Sequence, residues 1–97
     1  MRIVEQVSWI RKSDGYLLTV ERDTFIGDNR FEALHLAASD TWTLHIRNVR
    51  PDDAGVYECQ VSSEPKTSQL FTLHIISESF AYSKRFSQKF YIRESAD

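Results

Sequence analysis

Hydrophobic and polar residues alternate with a period of two over much of this chain up to residue 76, and that period is typical of β-strands. The alternation is clearest where Trp42, Leu44 and Ile46 share one side of a segment. The predicted strands are residues 7–12, 16–21, 30–36, 42–46, 56–62 and 69–76. The predicted turns between them are residues 13–15, 27–29, 37–40 and 64–66. Short strands separated by turns at regular spacing predict an all-β sandwich.

Two parts of the chain depart from this alternation. Pro51-Asp52-Asp53 suits a helical turn between two strands, because proline is favoured in the first turn of a helix. Residues 77–97 mix aromatic and charged residues and show neither clean alternation nor an apolar stripe. We therefore predict one domain over residues 1–76 and a C-terminal tail of unknown structure over residues 77–97, either disordered or docked on the domain.

Composition narrows the functional classes. The chain has 97 residues, enough for one domain, and 41% of them are hydrophobic. Its 12 basic and 14 acidic side chains give a net charge of −2, so no broad basic field is present for nucleic acid or an anionic membrane. No segment reaches the roughly 20 apolar residues of a transmembrane helix, and residues 1–7 hold no apolar run typical of a signal peptide.

One motif is informative about the family. Asp53-Ala54-Gly55-Val56-Tyr57-Glu58-Cys59 matches the D-x-G-x-Y-x-C pattern of the F strand in immunoglobulin domains. The resemblance implies that the Tyr57 hydroxyl bonds to nearby backbone, as a tyrosine corner, and that Gly55 lets the chain turn into the strand. It also implies that Asp53 pairs with Arg30 and that Cys59 faces the core beside Trp9. The separation of Trp9 and Cys59 leaves room for the extra strands of a variable-type (V-type) domain.

A narrower resemblance covers residues 7–76. The segments Val7-Ser8-Trp9-Ile10-Arg11-Lys12, Leu17-Leu18-Thr19-Val20, Arg30-Phe31, Trp42-Thr43-Leu44-His45-Ile46, Tyr57-Glu58-Cys59-Gln60-Val61-Ser62 and Glu64-Pro65-Lys66 carry it. They are similar to the first domain of the insect Dpr (defective proboscis extension response) proteins. These are neuronal surface proteins that bind the Dpr-interacting proteins (DIPs), which are themselves immunoglobulin proteins. The resemblance implies a recognition or adhesion module for neuronal wiring and synaptic specificity, at the extracellular face of the plasma membrane. Its expected partners are DIP-type immunoglobulin proteins, with pairing between identical chains as the alternative.

The resemblance also implies strands that this sequence does not supply. A family domain begins with strands A, A′ and B, and strand B provides the second cysteine of a disulfide, whereas Cys59 is the single cysteine here. We therefore predict an immunoglobulin-like V-type sandwich of strands C to G, lacking strands A, A′ and B. Strand B normally pairs with strand E, so residues 43–46 are expected to form an open edge. Two alternatives remain open: a truncated or soluble product with no independent function, and an intracellular structural immunoglobulin domain.

The family pairs its domains face to face through the sheet of strands C, C′, C″, F and G. If Trp9 and Cys59 point inward, their neighbours along each strand point outward. The predicted protein-binding face consists of Ile10, Lys12, Leu18, Val20, Glu58, Gln60, Ser62 and Lys66. The predicted structural motif consists of Trp9, Arg30, Asp53, Gly55, Tyr57 and Cys59. Single exposed aliphatic residues are common, so without the resemblance the face need not bind anything.

The sequence gives no pattern for catalysis or a cofactor. His35, His45 and His74 show no metal-ligand spacing. We find neither a glycine-rich phosphate loop nor a nucleophile elbow, and Cys59 is expected in the core and not as a nucleophile. The prediction is a binding domain with no enzymatic activity, no metal, no cofactor and no small-molecule or nucleic-acid partner.

Overall fold

Residues 6–35, 41–77, 80–84 and 90–95 are described in a computed structural model, and their regular structure is almost entirely β-strand. The strands are β1 (Val7–Arg11), β2 (Tyr16–Val20), β3 (Asp23–Thr24), β4 (Phe31–His35), β5 (Trp42–Arg47), β6 (Gly55–Val61), β7 (Thr67–Ser77), β8 (Phe80–Lys84) and β9 (Phe90–Ser95). One 3₁₀ turn, Pro51–Asp53, joins β5 to β6 where a helical turn is predicted. In the described segments, no helix is long and apolar enough to cross a membrane.

The strands form two sheets, which confirms the predicted all-β sandwich. Sheet A has six strands in the order β3-β2-β1-β6-β7-β8, and sheet B has the order β4-β5-β9. The sequence did not predict the short strand β3. The predicted turn at residues 37–40 and the N-terminal residues 1–5 lie outside the described residues.

The turn between β1 and β2 shows how local chemistry sets the hairpin. Gly15 has a φ of +74°, which glycine adopts without steric cost. Asp14 accepts a hydrogen bond from the Tyr16 backbone nitrogen at 3.1 Å and forms a 2.9 Å ion pair with Arg11. These contacts fix the exit of β1 and the entry of β2.

The core lies between the two sheets and follows the alternation. On β5, Trp42, Leu44 and Ile46 are buried, with exposed fractions of 9%, 0% and 0%. From sheet A, Trp9 packs against Phe71 with 5.4 Å between ring centroids. Because aromatic rings bury a large apolar area each, this pair anchors the sheet A side of the core.

The predicted open edge on β5 is wrong, because β9 covers it. β5 pairs with β9 in parallel, from Trp42 opposite Phe90 to Arg47 opposite Ser95. Ile92 is 7% exposed and belongs to the core cluster. An unpaired strand edge leaves backbone N–H and C=O groups without partners, and β9 satisfies them.

Residues that the sequence placed in a tail therefore contribute a strand to each sheet. β8 pairs with β7 in antiparallel fashion and extends sheet A, while β9 extends sheet B. The division of the chain at residue 76 stays a prediction.

We expect Ile92→Ala to lower the free energy of unfolding by about 2–5 kcal/mol, the range for truncating a buried aliphatic side chain to alanine. Urea unfolding followed by tryptophan fluorescence measures this change, because Trp9 and Trp42 lie in the core. Arg93→Ala is the matched control, since Arg93 is the exposed next residue of the same strand. Equal unfolding midpoints for Ile92→Ala and the unmodified chain would show that β9 is not part of the core.

Candidate protein-binding face

The outward side of sheet A carries its side chains in transverse rows. Trp9 pairs with Cys59, and both point inward, with exposed fractions of 0% and 1%. Their neighbours along β1 and β6 therefore point outward. The register gives one row of Leu17, Ile10, Glu58 and Leu70 and a second row of Val20, Ser8, Gln60 and Ser68. We call this side of the sheet the outer face.

The outward placement predicted for Leu18 is wrong. Leu18 is 0% exposed and lies in the core. The register between β1 and β2 shifts between Trp9 and Ile10, because Trp9 pairs with Thr19 whereas Ile10 pairs with Leu17. Leu18 is the extra residue of this bulge, and a bulge breaks the alternation. Thr19 is also 0% exposed, so two successive residues of β2 point inward.

The bulge makes Leu17 the outward aliphatic residue of β2. Leu17 is 38% exposed and lies beside Ile10, which is half-buried. Leu70 of β7, in the same row, is 51% exposed. Phe25 follows β3, where its backbone nitrogen donates to the Leu18 carbonyl oxygen at 2.9 Å, and its side chain is 61% exposed. Exposed apolar side chains thus extend from the β3 edge across the middle of the sheet.

The sequence prediction missed Leu17, Phe25 and Leu70. For Leu70 a signal was available, because alternation with inward-facing Phe71 and Leu73 places it outward. Leu17 required knowledge of the bulge. Val20 is half-buried in the second row, opposite Ser8, so its outward placement agrees with the register.

The polar centre of the outer face is the carboxylate of Glu58. It is 8% exposed, and it lies 3.4 Å from the Lys12 ammonium and 3.1 Å from the Gln60 amide nitrogen. Burial alone would raise the pKa of Glu58, but hydrogen bonds from Gln60 and Ser68 and the charge of Lys12 outweigh it and hold that pKa below its usual value. Glu58 therefore stays ionised beneath its neighbours at neutral pH.

The remaining predicted residues of the face lie at its β6–β7 end. Ser62 and Lys66 are exposed. The Ser62 hydroxyl accepts a hydrogen bond from the Gln6 backbone nitrogen at 2.8 Å, which joins the start of β1 to the end of β6. The structure thus brings six of the eight predicted side chains to one side of the sheet, whereas Leu18 points inward and Lys66 lies in the loop between β6 and β7.

A buried ion pair fixes the opposite end of β6. Arg30, immediately before β4, places its two terminal guanidinium nitrogens 2.8 and 2.9 Å from the Asp53 carboxylate oxygens. Arg30 also donates to the carbonyl oxygens of Arg47 and Asn48 at 3.2 and 3.1 Å. The Asp53 carboxylate accepts a further bond from the Arg50 backbone nitrogen at 2.7 Å. These bonds tie the start of β4 to the end of β5 and to the 3₁₀ turn.

The tyrosine corner stands on the same turn. The Tyr57 hydroxyl donates to the Asp53 carbonyl oxygen at 2.6 Å, and burial, followed by the nearby Asp53 charge, raises the pKa of Tyr57. Gly55 starts β6 with a φ of +137°, which side chains other than glycine's rarely adopt. Although a Cβ at Gly55 would meet no atom within 4 Å, the backbone conformation itself favours glycine.

We expect Asp53→Ala to lower the free energy of unfolding by about 3–5 kcal/mol, because it leaves the buried Arg30 charge without its main partner. Asp52→Ala is the matched control, since Asp52 is exposed in the same 3₁₀ turn, and its effect should stay within about 0.5 kcal/mol. Urea unfolding of both variants measures the difference. A similar loss of stability in the two would contradict the role given to the Arg30–Asp53 pair.

Cys59 is a core thiol. It is 1% exposed, and burial, followed by the charge of Glu58, raises the pKa of the Cys59 thiol to about 12. The reactive thiolate is therefore scarce at neutral pH. We expect a thiol-specific chromogenic reagent at pH 8 to label the native chain at least about 100-fold more slowly than the chain in 8 M urea, since labelling requires opening of the core. Rapid labelling without denaturant would show that Cys59 is accessible.

The sequence of this chain is similar to those of known immunoglobulin proteins. The sequence pattern of the immunoglobulin V-set domain matches residues 3–77. The Zwei Ig domain protein zig-8 of Caenorhabditis elegans is 31% identical over 71 residues, which are 73% of this chain and 26% of that protein. This chain therefore spans only a minor part of that relative's length.

Two solved structures resemble the fold. The structure of Dpr11 IG1 bound to DIP-gamma has 53% sequence identity and a TM-score of 0.64, and the match covers 68% of this chain and 68% of that chain. The ZIG-8–RIG-5 IG1–IG1 heterodimer has 29% identity and a TM-score of 0.70, over 77% of this chain and 65% of that chain.

Proposed function

This chain belongs to the immunoglobulin V-set family, and we propose that it is the recognition domain of a Dpr-type cell-surface protein that pairs with another immunoglobulin domain through its outer face. Similar immunoglobulin domains occur in heterodimeric complexes, namely Dpr11 with DIP-gamma and ZIG-8 with RIG-5. The V-set family is not known for enzymes. The role we propose is adhesion or recognition at the extracellular face of the plasma membrane, in neuronal wiring and synaptic specificity.

The observation that carries this proposal is the apolar part of the outer face, formed by Leu17 and Ile10 on one side of Glu58 and by Leu70 on the other. Leu17 and Leu70 are 38% and 51% exposed, and Ile10 lies between their strands. Contiguous exposed apolar side chains inside a polar surround mark an interaction site, whereas scattered ones do not. Gln60 and Ser62 supply polar side chains on the same face, and Lys66 is exposed in the loop that joins β6 to β7. This arrangement matches a protein interface, which has an apolar centre and a polar rim.

The sheet geometry of the face also favours a protein partner over a small molecule. The outward positions of β1, β2, β6 and β7 lie in adjacent rows of one sheet. Small-molecule sites are concave and enclose most of their ligand. A second sheet packs well on such a surface, since two sheets stack about 10 Å apart with their side chains interdigitated.

We expect Ile10→Asp to weaken binding to DIP-gamma or RIG-5 immunoglobulin domains by about 30-fold or more, because a central buried anchor contributes about 2 kcal/mol or more. Surface plasmon resonance with the immobilised partner domain measures the affinity, at a chain concentration where sedimentation shows a monomer. Leu34→Asp is the matched control, since Leu34 is an exposed aliphatic residue, 37% exposed, on sheet B.

The two variants distinguish a loss of binding at the outer face from a loss of folding. Circular dichroism verifies that both variants keep the strand signal of the unmodified chain. Loss of binding in Ile10→Asp with retained binding in Leu34→Asp supports the outer face. Equal binding by both variants would contradict it, and so would a chain that binds neither partner domain and does not self-associate.

A further inference from the structure

The ion pair between Glu58 of the outer face and Lys12, which follows β1 at the start of the hairpin turn, is asymmetric. The Glu58 side chain is 11% exposed, whereas the Lys12 side chain is 48% exposed, and their charged atoms lie 3.4 Å apart. The negative end of the pair is thus inside the protein and the positive end is in water. A domain that covers this face meets a positive charge, although the chain as a whole has a net charge of −2.

We propose that Lys12 selects the partner by requiring a carboxylate on the domain that covers it, and that this requirement makes the chain bind other immunoglobulin domains in preference to itself. The inference rests on the proposed function and specifies the chemistry of its partner.

Glu58 satisfies little of the hydrogen-bonding capacity of the Lys12 ammonium group. Glu58 also accepts hydrogen bonds from Gln60 and Ser68, so its carboxylate is well satisfied without a partner domain. The 3.4 Å separation from Lys12 exceeds the roughly 2.7–3.2 Å of a good N–H···O hydrogen bond. An ammonium group has three N–H donors and no acceptor, so Lys12 depends on water for most of its hydrogen bonds.

Covering the face removes that water. A donor that is desolvated without a new acceptor opposes binding, and the effect is larger for a charged group. A carboxylate on the partner offers the strongest replacement, because charge-assisted hydrogen bonds are shorter and stronger than neutral ones. The attraction also grows as the contact excludes water and the local dielectric constant falls.

A second copy of this chain is poorly equipped to supply that carboxylate. Among the outward-facing positions of β1, β2, β6 and β7 that the structure describes, the acidic residue is Glu58, which is covered and already bonded. Asp23 is exposed, but it lies at the edge of the sheet on β3, and Asp14 in the turn beside Lys12 is already bonded to Arg11 and to the Tyr16 backbone nitrogen. Two copies packed through their outer faces would therefore bury two Lys12 ammonium groups without a free carboxylate on these strands to receive them.

The test uses the full chain, its Lys12→Met, Lys12→Arg and Glu58→Gln variants, and immobilised DIP-gamma and RIG-5 immunoglobulin domains. We expect Lys12→Met to weaken binding by about 10-fold or more and to reduce its dependence on salt concentration, because the charge contact is lost. Lys12→Arg should stay within about 3-fold of the unmodified chain, since the charge is kept. Sedimentation equilibrium should show stronger self-association for Lys12→Met than for the unmodified chain.

The Glu58→Gln variant distinguishes two explanations: selection of the partner by the charge of Lys12, and shaping of the face by the Lys12–Glu58 ion pair. This variant keeps Lys12 and removes the carboxylate that competes for its charge, so binding to a partner domain that supplies a carboxylate should be tighter. Equal weakening by Glu58→Gln and Lys12→Met would overturn the inference, because the pair would then act only by shaping the face. Self-association of the unmodified chain that is tighter than its binding to either partner domain would also overturn it.

The Ile10→Asp result distinguishes the two proposals. If Ile10→Asp abolishes binding and Lys12→Met changes neither the affinity nor its salt dependence, the selection by Lys12 is wrong and the binding face stands. If Ile10→Asp leaves binding unchanged, the proposed function fails, and the inference fails with it.

Discussion

The pairing of β1 with β6 is the contact on which the rest of this domain depends. It sets Trp9 opposite Cys59 at the centre of sheet A, where both side chains are buried against sheet B. Since side chains alternate along a strand, that one register also decides that Ile10 and Glu58 face outward. A shift of one residue would exchange the core with the binding face. The tilted packing of Trp9 on Phe71 opposes such a shift, because a large ring fits the interior in few positions.

The strands that the sequence predicts well are those whose two sides differ in polarity. In β5, buried residues alternate with more exposed ones, and in β6 the polar residues Glu58 and Gln60 alternate with the core residues Tyr57 and Cys59. The sequence pattern therefore predicts both the presence of these strands and which side of each faces the core. β2 is apolar on both sides, since Leu17, Leu18 and Val20 are all hydrophobic. Period-two reasoning then has no signal that separates inside from outside. The bulge at Leu18 decides the orientation, and it arises from pairing with β1, which is a tertiary contact.

The completion of sheet B escaped prediction for a different reason. β9 contributes one described core side chain, Ile92, which stands between aromatic and charged neighbours in the sequence. A single aliphatic residue cannot show the period-two alternation from which a strand is predicted. The position of β9 is determined by the edge of β5, more than 40 residues earlier in the chain. The backbone groups on that edge need hydrogen-bonding partners, and this need can be recognised only after β5 has been placed in its sheet. The family resemblance predicted that β5 would have an open edge because strand B is missing, and it assigned no segment of this chain to cover that edge.

The backbone of β6, which the core holds in place, also carries the side chains of the outer face. β6 carries Tyr57 and Cys59 on its inward side and Glu58 and Gln60 on its outward side, so the core and the proposed binding face use alternate residues of one strand. The tyrosine corner and the Arg30–Asp53 pair fix the start of this strand, and β1 and β7 pair with it on both sides. The side chains of the face are therefore held on a backbone that has little freedom to rearrange when a partner binds. Under the proposed function, substitutions at outward positions change partner choice at small cost to stability, because the inward residues between them keep the strand in place.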